Sequence, residues 1–234
     1  LQQMEIFGED TWFRIGDRDT ATHLIRTNML KNGKSLGDIT KWLCEKFAIE
    51  AKIIPVTDNT IETRVNTDEG EMHLQEFWVK HRGRNKVEGI QYIGSEKARP
   101  SPEAINAIQD SRLVIIAPAN PYTSIGPVLA IKAIRKELVK NRRKVVAISP
   151  IIGNAALSGP AAKYMMSAGN EVSAYGVAKM YANVCSSIVI DTKDRMQTKK
   201  IEALNMHVYD TKIRMTNKKT EDALASFILK QVKQ

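Results

Sequence analysis

The chain has 234 residues, 43% of them hydrophobic, and a net charge of +9 from 35 Lys and Arg against 26 Asp and Glu. That length and composition describe a soluble globular protein with material for one large domain or two small ones. No apolar run approaches the roughly 20 residues of a membrane-spanning helix and no signal segment is visible, so no membrane partner is expected and the cytoplasm is the expected location.

Taken in chain order, "DRDTATHLIRTNMLKNG" predicts a helix with Asp19 as its cap and a stop at Asn32-Gly33. "SLGDITKWLCEKFAI" predicts a second, opened by the capping pattern Ser35-x-x-Asp38, with Leu36, Ile39, Leu43 and Phe47 along one stripe. From Ala51 to Ile93 the pattern changes to short segments, "AKIIPV", "TIETRVNT", "EMHLQEFWV" and "KVEGIQYI", which read as strands of a β-rich insert with a turn at Asp68-Glu69-Gly70. Pro102 suits the first turn of the next helix. Beyond it the order becomes a strand (Leu113 to Ala117), a loop, a helix carrying Val128, Leu129, Ile131, Ile134 and Leu138, then the strands "KVVAIS" and "SSIVID" separated by helices, and a last helix in "TEDALASFILKQV". Such alternation predicts an α/β fold: a Rossmann-like parallel sheet with helices on both faces, plus the small β-rich insert. Cys44 and Cys185 lie far apart with no metal-type spacing, and read as reduced structural thiols.

Two loops follow strands at equivalent places, "PANPYTSIGP" and "SPIIGNAALSGP". Parallel strands would open both on the same sheet edge, where helix-terminal N–H groups favour a phosphate. Asn120, Thr123 and Ser124 can donate hydrogen bonds there, while Gly126 and Gly153 allow close backbone approach. The competing reading is two ordinary connecting turns. In "WFRIGDRDTATHLIRT", Arg14, Asp17, Arg18, Asp19, His23 and Arg26 crowd beside Trp12 and Phe13. Carboxylates near Mg²⁺ or a substrate hydroxyl, with arginines on phosphate or an aromatic ring, are one reading; a salt-bridged helix start is the other. His73 reads as a strand residue, Met165 and Met166 as core filler, and the cluster Lys140, Arg142, Arg143 and Lys144 as a solvated helix end.

Together, "RIGDRDTATHLIRT", "IIAPANPYTSIGPVLAI", "VVAISPIIGNAALSGPAAKYM" and "YGVAKMYANV" resemble the 2-phospho-L-lactate transferase family, also called CofD, from about Trp12 to Asp194. The resemblance implies transfer of a phospholactyl group, or its enolpyruvyl analogue, from a guanosine diphosphate-linked lactate donor to a ribityl hydroxyl of the deazaflavin Fo. Coenzyme F420-0 and GMP are the products, Mg²⁺ is the cofactor and a homodimer is the assembly. It also implies that Asn120, Thr123, Ser124, Ile125 and Gly126 approach the guanosine diphosphate part, with Gly153 and Asn154 nearby. Arg14 falls where the family places a basic residue against Fo, with Arg18 beside it. Asp17 and Asp19 are the catalytic candidates, Asp17 also the metal candidate, with the choice of general base between them open. Family members begin with a strand and a Gly-Gly-Thr-Gly loop that this sequence does not contain. The expected organisation is therefore one CofD-like domain over 1–234, N-terminally incomplete, with a helical and β-rich part over 1–100 and a Rossmann-like part over 101–234. The rivals are a non-catalytic nucleotide-sugar-binding regulator of the same superfamily and a basic nucleic-acid-binding domain. The Arg14 to Asp19 segment favours the transferase, and no recognition helix or aromatic-interleaved basic strand supports nucleic acid.

Overall fold

A computed structural model describes residues 2–157 and 159–232. It opens with α1 (Gln2–Ile6), α2 (Asp17–Lys31) and α3 (Leu36–Lys46). Three antiparallel strands follow, β1 (Glu62–Thr67), β2 (Gly70–His73) and β3 (Val87–Ile93), in the order β2-β1-β3. The second part runs α4 (Pro102–Asp110), β4 (Val114–Ile116), α5 (Ile125–Ala130), α6 (Lys132–Lys140), β5 (Val145–Ile148), and a hairpin of β6 (Ile151–Ile152) and β7 (Ala155–Ala156). It ends with α7 (Ala161–Ser167), α8 (Ala174–Tyr181), β8 (Ser187–Asp191), α9 (Thr198–Glu202), β9 (His207–Thr211) and α10 (Lys218–Gln231).

Strands β4, β5, β8 and β9 pair in parallel in that order, so their carboxyl ends share one edge. The strands alternate their side chains between two cores, as a period of two requires. Ile116, Val145, Ala147, Ile188 and Ile190 face the helices α6, α8 and α9 through Ile134, Val177 and Ile201. Val146, Ile148 and Val189 face Leu224 and Ile228 of α10. Helices therefore cover both sheet faces, as the alternating pattern requires. Full burial of each such aliphatic side chain contributes about 1.5–3 kcal/mol. A third cluster, Val65, Met72, Phe77 and Val87, packs Tyr164 of α7 against the antiparallel sheet and so seats the insert on the second part.

Several local expectations are corrected. Helix α2 begins at Asp17, with Gly16 in the capping position and Asp19 inside the first turn. The segment "AKIIPV" joins no sheet ladder; Pro55 has no N–H to give, and the Pro55 and Val56 carbonyls instead accept Ser101 Oγ and Ser101 N–H. In "EMHLQEFWV" the strand ends at His73 and a π-helical turn, Glu76–Lys80, follows. Leu74, Phe77 and Trp78 stand at i, i+3 and i+4, a helical spacing, and Phe77 is the member carried into the core. The single helix expected after the first loop starts at Ile125 and breaks at Ile131, whose extended backbone (φ −73°, ψ 105°) carries its side chain into full burial. The last helix begins earlier than expected, with Asn217 and Thr220 forming a capping box. The basic cluster before β5 is built into the fold: Lys144 Nζ donates to the carbonyls of Gln109 and Ser111, and Arg142 to those of Ala182 and Asn205.

Candidate active site

The turn after β4 is folded by its own asparagine. Asn120 Oδ1 accepts the N–H groups of Tyr122 (2.9 Å) and Thr123 (3.3 Å), and the Asn120 carbonyl accepts those of Ser124 and Ile125. This Asx-type turn commits the side-chain oxygen to the backbone and leaves the amide NH₂ as the outward donor. Two distant residues clamp the turn. Tyr92 Oη of β3 donates to the Tyr122 carbonyl at 2.6 Å, and Asn170 Nδ2 donates to Tyr122 Oη at 2.8 Å. Burial raises the Tyr92 phenol far above its ordinary value of 10.0, with the neighbouring Tyr122 adding to the shift, so it stays a donor across the physiological range.

Pro118, Asn120, Thr123 and Ser124 form one wall of a pocket of about 430 Å³. The π-helical region supplies the opposite wall through Leu74, Gln75 and Trp78; Gly159, Pro160 and Tyr164 close the remainder. Trp78 is 44% exposed, yet its ring is held in place. Gly83 has φ +60°, and a Cβ there would stand 2.9 Å from the indole. A π-helix is rare and recurs at functional sites, and here it directs an exposed indole into a cleft. Tyr164 is fully buried, its ring 6.1 Å from Tyr122 and 6.0 Å from Phe77, and its hydroxyl has no hydrogen-bond partner among the described residues. A buried donor of this kind calls for a partner.

The charged segment lies beside the same π-helix, for Lys80 Nζ sits 5.9 Å from the centre of the Trp12 ring. Arg14, Asp17, Arg18 and Asp19 are all exposed, the two aspartates on the first turn of α2, and α2 buries none of its side chains. None of these four lines the pocket bounded by Asn120. Ile125 and Gly126 stand behind the turn at the start of α5; Gly126 accommodates Tyr92, whose hydroxyl occupies the space a Cβ would need. Gly153 and Asn154 are at the tip of the β6-β7 hairpin, where the Gly153 N–H is already given to Asp194. From that second loop the pocket takes Gly159 and Pro160 instead, and Ser158 lies outside the described residues. Leu74, Gln75, Trp78, Tyr92 and Tyr164 escaped the sequence reading. The helical spacing inside "LQEFWV" was the signal available for Leu74 and Trp78.

Asp17 and Asp19 do not by themselves fit a protein-held metal: among the described residues no three His, Cys, Asp or Glu side chains gather into one. No helix among the described residues is long and apolar enough to cross a membrane.

A parallel α/β sheet with helices on both faces, whose post-strand loop faces an aromatic insert across a pocket at the carboxyl edge, defines a Rossmann-like protein. The profile of the family described as 2-phospho-L-lactate transferase CofD matches residues 4–228, and the chain belongs to that transferase family. A 2-phospho-L-lactate transferase of Methanosarcina mazei is 40% identical over 97% of this chain and 75% of its own length. One from Methanocaldococcus jannaschii is 41% identical over 86% and 65%. A phosphoenolpyruvate transferase of Streptomyces griseus is 34% identical over 92% and 69%. In fold, the chain resembles the solved structure of protein BH3568 from Bacillus halodurans, with a TM-score of 0.60 at 14% identity over 87% of this chain and 70% of that one.

Proposed function

We propose that the protein transfers the 2-phospholactate moiety, or its enolpyruvyl analogue, from lactyl-2-diphospho-5′-guanosine to the deazaflavin Fo, giving coenzyme F420-0 and GMP. The observation that carries this reading is the pocket between the Asn120 turn and Trp78, in a chain of this transferase family. The Asn120 amide and the Thr123 and Ser124 hydroxyls are donors suited to diphosphate oxygens, in a turn whose own hydrogen bonds hold them without reorganisation. The relatives named for different three-carbon groups leave lactate and enolpyruvate both within the reading.

In the proposed reaction the Fo hydroxyl attacks the phosphorus that bears the three-carbon acid. The bond from that phosphorus to the bridging oxygen breaks, GMP leaves with the oxygen, and the hydroxyl proton passes to Asp17 or Asp19. Arg14 and Arg18, on the neighbouring segment, are assigned to Fo. Positioning supplies most of the rate in such phosphoryl chemistry, with limited help from a base. Mg²⁺ belongs to the proposal only as an ion carried by the donor's diphosphate, with Asp17 as the carboxylate offered to it, and no step is assigned to it. Guanosine diphosphate binding, a homodimer and a cytoplasmic location complete the reading.

The test is incubation of the protein with Fo, each donor and Mg²⁺, with GMP and F420-0 read by chromatography. Absence of both products with either donor removes the assignment. Light scattering at several protein concentrations tests the dimer.

A further inference from the structure

A larger cleft, about 880 Å³, opens on the other side of the β6-β7 hairpin, at the carboxyl ends of β8 and β9. Its floor is apolar: Ile152, Ala156 and Leu157 from the hairpin, Ala223 and Leu224 from α10. Its rim is cationic. Lys193 and Arg195 follow β8, and Lys212 and Arg214 follow β9.

Both carboxylates at the cleft are already committed. Asp191 is 5% exposed; its Oδ1 accepts the Lys193 N–H (3.1 Å) and its Oδ2 the Ile213 N–H (3.2 Å). Asp210 Oδ2 takes Arg195 Nε at 3.0 Å. Lys193, Lys212 and Arg214 have no ion-pair partner among the described residues. Asp191 thus ties together, through backbone, the two segments that bear these three cations, and its own charge offsets one of them. Asp194, three residues further on, holds the hairpin in place through Gly153 N–H. The Thr192 and Thr211 hydroxyls add neutral donors between the cations.

Lys193, Arg195, Lys212 and Arg214 against Asp191 and Asp210 leave an excess of two positive charges about one cleft of small-molecule size, and with its apolar floor this selects a compact ligand of at least two negative charges attached to an apolar body. We infer that this cleft is a second binding site, for a small molecule carrying a diphosphate or triphosphate, separate from the pocket at Asn120. The inference stands whether or not the transferase reading holds, because none of its residues is shared with that pocket.

The test measures inorganic pyrophosphate binding by titration calorimetry in wild type, in Asn120→Ala and in Asn120→Ala with K193A/K212A/R214A added, at fixed ionic strength. All three substituted cations are exposed, so adding the triple substitution should leave the melting temperature unchanged. Because the Asn120 pocket is itself proposed to take a diphosphate, Asn120→Ala is the background: the pyrophosphate binding that persists in it should lose about tenfold or more in affinity when K193A/K212A/R214A is added, the sum of three exposed charge contacts. K193R/K212R in the same background, which keeps the charges, should retain it. Equal affinity with and without the triple substitution overturns the inference, as does loss of all pyrophosphate binding in Asn120→Ala alone. Heat that sodium chloride of matched ionic strength reproduces would show a diffuse charge effect only, and overturns it too.

Discussion

Gly126 and Tyr92 compete for one volume: the Tyr92 hydroxyl that donates to the Tyr122 carbonyl at 2.6 Å fills the space a Cβ on Gly126 would occupy. The insert and the pocket-forming turn are joined at this point. Gly126→Ala forces the phenol out, and the Pro121 carbonyl, 3.0 Å from the same Cβ position, leaves little room to shift. The expected cost is about 1–3 kcal/mol for the overpacking, against about 1 kcal/mol for Tyr92→Phe, which loses the hydrogen bond alone. Because both changes disturb the same contact, the double variant should cost less than the two singles added. Urea melts of the four proteins check this; strict additivity would mean that the two residues do not share the turn.

Trp78 and Gly83 supply the second prediction. At φ +60° a non-glycine residue is disfavoured by about 1–2 kcal/mol, and the Cβ of Gly83→Ala also meets the indole at 2.9 Å. Gly83→Ala should therefore destabilise the protein and reduce ligand binding together. Trp78→Ala removes a half-exposed ring and should mainly reduce binding, with the melting temperature nearly retained. Thermal melts beside titrations with GDP and with Fo separate the two outcomes, and the ligand that responds identifies the ring that approaches Trp78.

The parallel sheet was legible because its signals are local: short β-branched runs such as "VVAI" and "SIVID" alternate with helical stretches, and each run is buried on both faces. The Asn120 turn was legible for the same reason, since an asparagine folding its own turn leaves a signature within four residues. The facing wall was not. Trp78 enters the pocket through a π-helical turn that interrupts an apparent strand, and Tyr164 through packing on Phe77, 87 positions away in sequence (164 minus 77). Gly153 shows a role that its neighbours in sequence do not announce. Its freedom at φ +62° serves the hairpin tip, and its N–H goes to Asp194 rather than outward to a ligand. The position of α2 was likewise illegible beyond its existence, for a helix that buries no side chain carries no packing pattern to read.

Asp194 gives a prediction about pH. It is 1% exposed, and desolvation, aided by the charge of Asp191, raises its carboxyl above the ordinary 3.8 despite the hydrogen bond from Gly153 N–H. With the folded value above the unfolded one, the native state binds more protons between the two, so this group's contribution to stability falls as pH rises through that window. Asp194→Asn keeps an Oδ1 acceptor for Gly153 and for Gln197 Nε2, both of which meet Oδ1 in the wild type, and removes the buried charge. The variant should gain stability relative to wild type as pH rises from about 4, the gain reaching a plateau above the raised value and vanishing in stronger acid. Denaturant melts across the acid range test this; a variant destabilised equally at every pH would show that both carboxylate oxygens are needed as acceptors.

The two cysteines differ in a way that makes one a reporter of the sheet. Cys185 is fully buried at the entry to β8, donates from Sγ to the Tyr181 carbonyl at 3.3 Å, and burial pushes its thiol up to about 12, with Arg142 opposing weakly. Cys44 on α3 is half-buried. Since only the thiolate reacts, a disulfide reagent near pH 8 should label Cys44 rapidly in the native protein and reach Cys185 only through opening of the parallel sheet. The slow phase should vanish in Cys185→Ala and accelerate with denaturant. Its rate in Gly126→Ala then tests whether the turn below the pocket and the sheet open as one cooperative unit: a slow phase unchanged from wild type would place the turn outside that unit.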